Sequence, residues 1–126
     1  MLLDSNVIIY AAQPGNEDLL ALISRDAPAV SVISIVEVLG YHGLTQQDRA
    51  DFEGFFGASR VLPVTDAVVE HAVRLRQQRR LSLGDALIAG TALAFDLTLI
   101  TRNSRDFTWI SDLRLHNPFA PTQDSA

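Results

Sequence analysis

Five short apolar runs alternate with longer stretches of helical character, and that alternation limits the fold more than any other feature of the chain. The runs are Leu2-Leu3, Ala29 to Ile33, Arg60 to Val64, Leu97 to Thr101 and Leu113 to Leu115. Between them the chain reads as helices over Ser5 to Ala12, Glu17 to Arg25, Ser34 to Tyr41, Thr45 to Phe56, Thr65 to about Arg80, and Ser82 to about Phe95. Leu19, Leu20 and Ile23 share one helical face, Thr45, Thr65 and Ser82 stand where caps are wanted, and Pro14-Gly15 and Gly57 stand where helices stop. A short helical turn is expected from Asn103. Apolar strands separated by helices predict a parallel sheet covered on both faces, with right-handed crossovers. The expected fold is therefore α/β, a three-layer α/β/α domain over residues 1–117 with a short central parallel sheet of about five strands. Pro63 assigns the third strand to an edge, and residues 118–126 are expected to fray.

The chain of 126 residues suits one domain, and its 48 % apolar content can fill a core. It has no Cys, which excludes disulfides and thiolate metal sites and makes a reducing cytoplasm the expected compartment. The N-terminus has no basic n-region and carries an acid at position 4, so no secretory signal is expected. The longest apolar stretch, Ala86 to Ile100, is broken by Asp96, which argues against a membrane span. A net charge of −5 argues mildly against nucleic acid as a partner. Two points soften that: carboxylates that bind cations are neutralised in use, and all ten basic residues are Arg, whose planar fork suits phosphate.

Four acids fall at informative places. Asp4 directly follows the first strand, before Ser5 and Asn6. Ser34-Ile35-Val36-Glu37, Ser82-Leu83-Gly84-Asp85 and Asn103-Ser104-Arg105-Asp106 each set an acid three positions after a cap residue. Taken singly, each of the three is explained by a capping box and the helix dipole. Taken together, Asp4, Glu37 and Asp106 follow the carboxyl ends of parallel strands, the edge where such sheets bind ligands. Asp85 joins them if its helix runs antiparallel to the next strand, which requires an unusual orientation of the helix before Ser82. Four carboxylates with no Lys or His among them ionise together only beside a cation. Oxygen-only ligands favour Mg²⁺, with Mn²⁺ able to substitute, and hydrated Mg²⁺ suits phosphodiester cleavage.

The residues carry a family resemblance. Leu2-Leu3-Asp4-Ser5-Asn6-Val7-Ile8-Ile9-Tyr10 resembles the opening of PIN-domain proteins, especially VapC-type toxins. Ser34 to Tyr41, Leu83 to Ala92 and Leu99 to Phe107 resemble their second, third and fourth motifs, in order and at similar spacing. The resemblance implies a Mg²⁺-dependent ribonuclease acting on single-stranded RNA and leaving a 5′-phosphate and a 3′-hydroxyl. It implies a homodimer and a small antitoxin encoded beside the toxin. By position it assigns Asp4, Glu37 and Asp85 as catalytic, metal-holding acids. Asp106 is favoured as the fourth over Asn103. Ser5, Asn6, Thr101 and Asn103 are expected as supporting polar groups. Ser5 stands where Thr is commoner, and the hydroxyl is kept.

Other features fit ordinary roles. Arg76, Arg79 and Arg80 share a helix face and read as solvated, whereas Arg102 and Arg105 flank the fourth motif and are better placed for RNA phosphates. His42, His71 and His116 have no metal spacing. Trp109, three residues past Asp106, is a candidate reporter of metal binding. Competing readings are a catalytically silent PIN-like binding module and a phosphotransfer protein using Asp4. The second would want an acid at position 6, where Asn6 stands, or a buried Lys, which the chain lacks.

Overall fold

Leu2 and Leu3 are fully buried, and together they make the central strand β1 (Leu2–Leu3). A computed structural model describes residues 1–25 and 28–119. The other strands are β2 (Ala29–Ser31), β3 (Arg60–Leu62), β4 (Leu99–Ile100) and β5 (Leu115–His116). Their order is β3-β2-β1-β4-β5, and every neighbouring pair is parallel. The helices are α1 (Ser5–Ala11), α2 (Glu17–Ser24), α3 (Val32–Leu39), α4 (Gln46–Gly57), α5 (Asp66–Gln78) and α6 (Leu83–Ala94), followed by a 3₁₀ turn over Ser104–Asp106. Successive strand residues point to opposite faces. Thus Leu2, Ala29 and Leu99 pack with Leu75, Ile88, Ala89 and Phe107 in one core. Leu3, Val30 and Ile100 pack with Val7, Val38, Phe52 and Phe56 in the other. Two cores on a five-stranded parallel sheet are the three-layer arrangement the sequence predicts.

The sheet reverses its winding at β1. β2 and β3 lie to one side, β4 and β5 to the other. The crevice at such a reversal opens past the carboxyl ends of the two central strands. Asp4 follows one of these strands and Thr101 follows the other, and Asp4 N–H donates to Ile100 O at 2.9 Å.

Several boundaries differ from the sequence expectation: β4 is trimmed to Leu99–Ile100, and α5 stops at Gln78 rather than near Arg80. β2 ends at Ser31 and α3 begins at Val32, so Ser34 is not the cap of that helix. Val32 and Ile33 are β-branched and look strand-like. The Ser31 hydroxyl, however, accepts from Ile33 N–H at 3.0 Å and starts the helix three residues early. β3 stops at Leu62, before Pro63, and is an edge strand as expected. β5 lies two residues later than expected, because Leu113 is buried in the core and it is Leu115 that pairs with Leu99. Of the tail expected to fray, Phe119 packs edge-on against Tyr10 with ring centroids 4.7 Å apart. Residues 120–126 lie outside those described. Among the described residues no helix is long and apolar enough to cross a membrane.

α5 and α6 pack as a tight pair. At Gly90 a Cβ would stand 2.8 Å from Val68 O, so only the missing side chain permits this approach. Ala86, Ala89 and Ala92 are buried along the same helix. This packing carries the start of α6, and Asp85 with it, to the ligand edge of the sheet.

Candidate active site

Asp4 is the deepest of the four acids, with 5 % of its surface exposed. Its Oδ1 accepts from Ser5 N–H at 2.7 Å, and its Oδ2 accepts from the Thr101 hydroxyl at 2.8 Å. Thr101 is fully buried, and its Oγ1 also accepts from Asn103 N–H at 3.0 Å. One hydroxyl thus fixes the acid of the first motif and the backbone of the fourth. Among the described residues no cation pairs with Asp4. Burial pushes its pKa up to about 6; the Thr101 and Ser5 hydrogen bonds oppose that, and the charges of Asp85 and Glu37 add to it.

The Ser5 hydroxyl links Asp4's strand to α3. It donates to Glu37 Oε1 at 2.7 Å and lies 2.9 Å from the Ser34 hydroxyl. Its one proton goes to the carboxylate, so Ser34 is the donor of the second contact. Ser34 is fully buried, as the third residue of α3 rather than its cap. The capping explanation for Glu37 therefore fails: the helix begins at Val32, and no acid lies in its first turn. Glu37 is held by a serine from another element, and its other oxygen meets α6. At Gly84 a Cβ would lie 2.6 Å from Glu37 Oε2. Gly84 was overlooked in the sequence, where it reads as a weak helix residue; its signal is its place directly before Asp85.

Asp85 combines both roles. Ser82 Oγ accepts from its N–H at 3.1 Å, as a cap should. Its half-buried carboxyl has a pKa raised first by burial, against the lowering effect of Ser82, and then by the charges of Asp106 and Glu37. Asp106 is exposed in the 3₁₀ turn. The Asn103 side chain makes no capping bond there, so that capping box is not formed. The charge of Asp106 reaches Asp85.

Two of the acids, Asp85 and Asp106, border an open cavity of about 340 Å³ that is also lined by Arg79, Arg80, Leu81, Arg105 and Trp109. Arg105 falls here, as the sequence suggested. Arg79 and Arg80 are exposed, as expected, but lie just past the end of α5 and line the same cavity. Arg102 faces elsewhere: its guanidinium lies 3.9 Å from the Tyr10 ring and 5.0 Å from the Phe119 ring. Asn6 Oδ1 accepts from Arg102 N–H at 3.5 Å, a long contact that ties α1 to the loop after β4.

Among the described residues no three acids or histidines converge closely enough to enclose a metal ion by themselves. The donor set fits a hydrated divalent ion better than a caged one. Mg²⁺ retains several waters and takes only one or two carboxylates directly. The buried, cation-free carboxylate of Asp4, with its raised pKa, is where such an ion would relieve unfavourable charge.

Comparison with known proteins adds four findings. A family model described as PIN domain matches residues 1–112. Ribonuclease VapC10 of Mycobacterium tuberculosis is 33 % identical over 128 residues, covering 95 % of this chain and 93 % of the relative. A chain of a toxin-antitoxin complex from Klebsiella pneumoniae superposes with a TM-score of 0.76 at 26 % identity, over 95 % of this chain and 98 % of that one. A chain of the DNA-bound VapBC complex from Salmonella typhimurium shares the fold, with a TM-score of 0.79 at 22 % identity over 91 % of this chain and 95 % of that one.

Proposed function

The chain belongs to the PIN-domain family, and from that premise we propose that it is a Mg²⁺-dependent endoribonuclease cleaving single-stranded RNA, the toxin of a toxin–antitoxin pair. The observation that carries the reading is the unneutralised acid set. A buried Asp4 without a cationic partner stands within electrostatic reach of Glu37 and Asp85, and Asp85 within reach of Asp106. A chain would gain nothing in stability by gathering these charges, because each raises the cost of ionising the next.

Asp4 and Asp85 hold the ion in this scheme, with Mn²⁺ able to replace Mg²⁺. When bound, the ion supplies activation of a water and neutralises charge building on the phosphate and the leaving oxygen. Glu37, steered by the Ser5 hydroxyl, orients the attacking water or contacts the ion through water. Asp106 completes the cluster on its open side. Thr101, Ser5, Asn6 and Asn103 hold the first and fourth motifs in register. Arg105 contacts substrate phosphate; Arg102, stacked on Tyr10, presents only its edge for the same purpose.

The partner assignments extend from the named relatives. VapC10 is named as a ribonuclease, and the Klebsiella chain comes from a toxin-antitoxin complex. We assign this chain a small cognate antitoxin that presents an Arg to the carboxylates, a second copy of itself, and a place in the cytoplasm. Exposed Val36, Val69 and Val73 on α3 and α5 support association with a further protein surface.

Cleavage of a panel of structured RNAs tests the reading. Activity is expected with Mg²⁺ and is expected to vanish with EDTA. Asp4→Asn is expected to lose more than the 10–100-fold typical of removing an outer-shell metal partner. Equal cleavage under all three conditions sinks the metal mechanism. RNA binding without any cleavage favours the silent binding module.

A further inference from the structure

Three guanidiniums border the open side of the acid cluster without being spent on it. Arg79, Arg80 and Arg105 share their cavity with Asp85 and Asp106. Among the described residues, none of the three forms an ion pair within 4.0 Å. Arg74 and Arg114 behave differently, pairing with Glu70 at 3.2 Å and with Asp96 at 2.9 Å. One of the unpaired arginines is also held in place. Arg79 ends α5 in extended conformation, and its guanidinium lies 5.2 Å from the Trp109 ring centroid. Trp109 Nε1 in turn donates to Asp106 O at 2.9 Å, which fastens the ring to the turn bearing the fourth acid. The Trp109 ring is therefore a positioning group that holds Arg79 beside the acids.

We propose that Arg79 and Arg80, together with Arg105, form a subsite for a backbone phosphate neighbouring the scissile one on single-stranded RNA. The assignment rests on the ribonuclease reading and extends it from chemistry to substrate tracking. A guanidinium fork matches two phosphate oxygens at once. The cavity is open and lined mainly by charged side chains, as a solvated phosphate requires and an apolar side chain does not. Because Asp85 belongs both to this cavity and to the acid cluster, a strand entering here runs directly on to the acids.

The test uses the full chain and a fluorescein-labelled single-stranded oligoribonucleotide. Binding is measured as a function of salt in an Asp4→Asn background, and steady-state cleavage with Mg²⁺ in the otherwise native chain. The double variant Arg79→Gln/Arg80→Gln is expected to weaken binding about tenfold, one charged contact's worth or more. Its log–log salt slope should fall by about 0.7, the worth of one phosphate contact on a single strand. KM should rise while kcat stays nearly constant. Arg74→Gln, whose partner is Glu70, is the control and should change none of these. If the native chain cleaves RNA but the double variant keeps its affinity and slope, the subsite is wrong and the ribonuclease reading stands. If the native chain neither binds nor cleaves RNA, both fall. If a polyglutamate peptide binds more tightly than the oligonucleotide and loses that binding in the double variant, the cavity serves an acidic protein segment and the proposal is overturned.

Discussion

The acid cluster has a deep side and an open side, and they are built on opposite terms. On the deep side Asp4, Ser5, Ser34 and Thr101 are buried, and their side-chain oxygens are hydrogen-bonded to one another or to backbone. On the open side Arg79, Arg80, Arg105 and Asp106 are exposed, and none of them forms an ion pair among the described residues. The deep side is fixed by folding, since a buried hydroxyl or carboxylate must find its partner in the protein. The open side leaves its charges for something that arrives later. Preorganised acids behind and uncommitted cations in front suit an enzyme that holds its cofactor firmly and tracks a flexible polyanion loosely.

Breaking the deep side should have the larger consequence. Thr101→Val removes the donor to Asp4 Oδ2 and the acceptor for Asn103 N–H together. Cleavage is expected to fall by about 10–100-fold, as for the loss of an outer-shell partner of a metal ligand. The apparent Mg²⁺ affinity should weaken alongside it, which a Mg²⁺ titration of the rate would show.

Gly84→Ala probes the seam between the two sides. The added Cβ would meet the tip of Glu37, an exposed side chain that can swing away. The fold should tolerate this, because the neighbour that must give way is the far end of a flexible side chain and Gly84 has no positive φ to keep. Activity should nevertheless fall several-fold, through loss of the Ser5-anchored Glu37 position. Thermal melts and cleavage rates on the same preparation separate the two effects. A variant equally stable and equally active would show that Glu37's position is not tuned by α6. The Arg79→Gln/Arg80→Gln pair touches only the open side and should act on KM alone, so its effect on kcat is the smallest of the three.

Much of this contrast was legible in the sequence, and the failures have physical causes. The alternation of elements, the three-layer fold and the four acids all follow from apolar periodicity and from acids placed after strands. The start of α3 did not, because Val32-Ile33 has β character locally and only the Ser31 hydroxyl decides otherwise. The later start expected for α3 made capping an available explanation for Glu37 taken alone, whereas its carboxylate is tied to Ser5 across 32 residues. Arg79 and Arg80 are solvated, as expected, but they do not share the helix face with Arg76, because α5 stops at Gln78 and Arg79 is already extended. Here Trp109 and the 3₁₀ turn, distant in sequence, close the cavity around them. Arg102 adjoins the fourth motif in sequence, yet the Tyr10 ring draws its side chain aside.

The central claim is that the deep carboxylates are folded at a cost that a divalent cation removes. Asp4 in the native state titrates near 6, above its ordinary 3.8. Between those values the native state binds more protons than the unfolded chain, so metal-free stability must fall as pH rises from about 4 to about 6. The full effect is of order 3 kcal/mol at about 1.4 kcal/mol per unit. The direct measurement is the free energy of unfolding by urea at pH 4.5 and at pH 7.5, with EDTA and with saturating Mg²⁺. We expect stability with EDTA to be lower at pH 7.5 than Asp4→Asn shows under the same conditions, and Mg²⁺ to restore it at pH 7.5 but hardly at pH 4.5. Stability that is flat across this range and unmoved by Mg²⁺ would contradict the account.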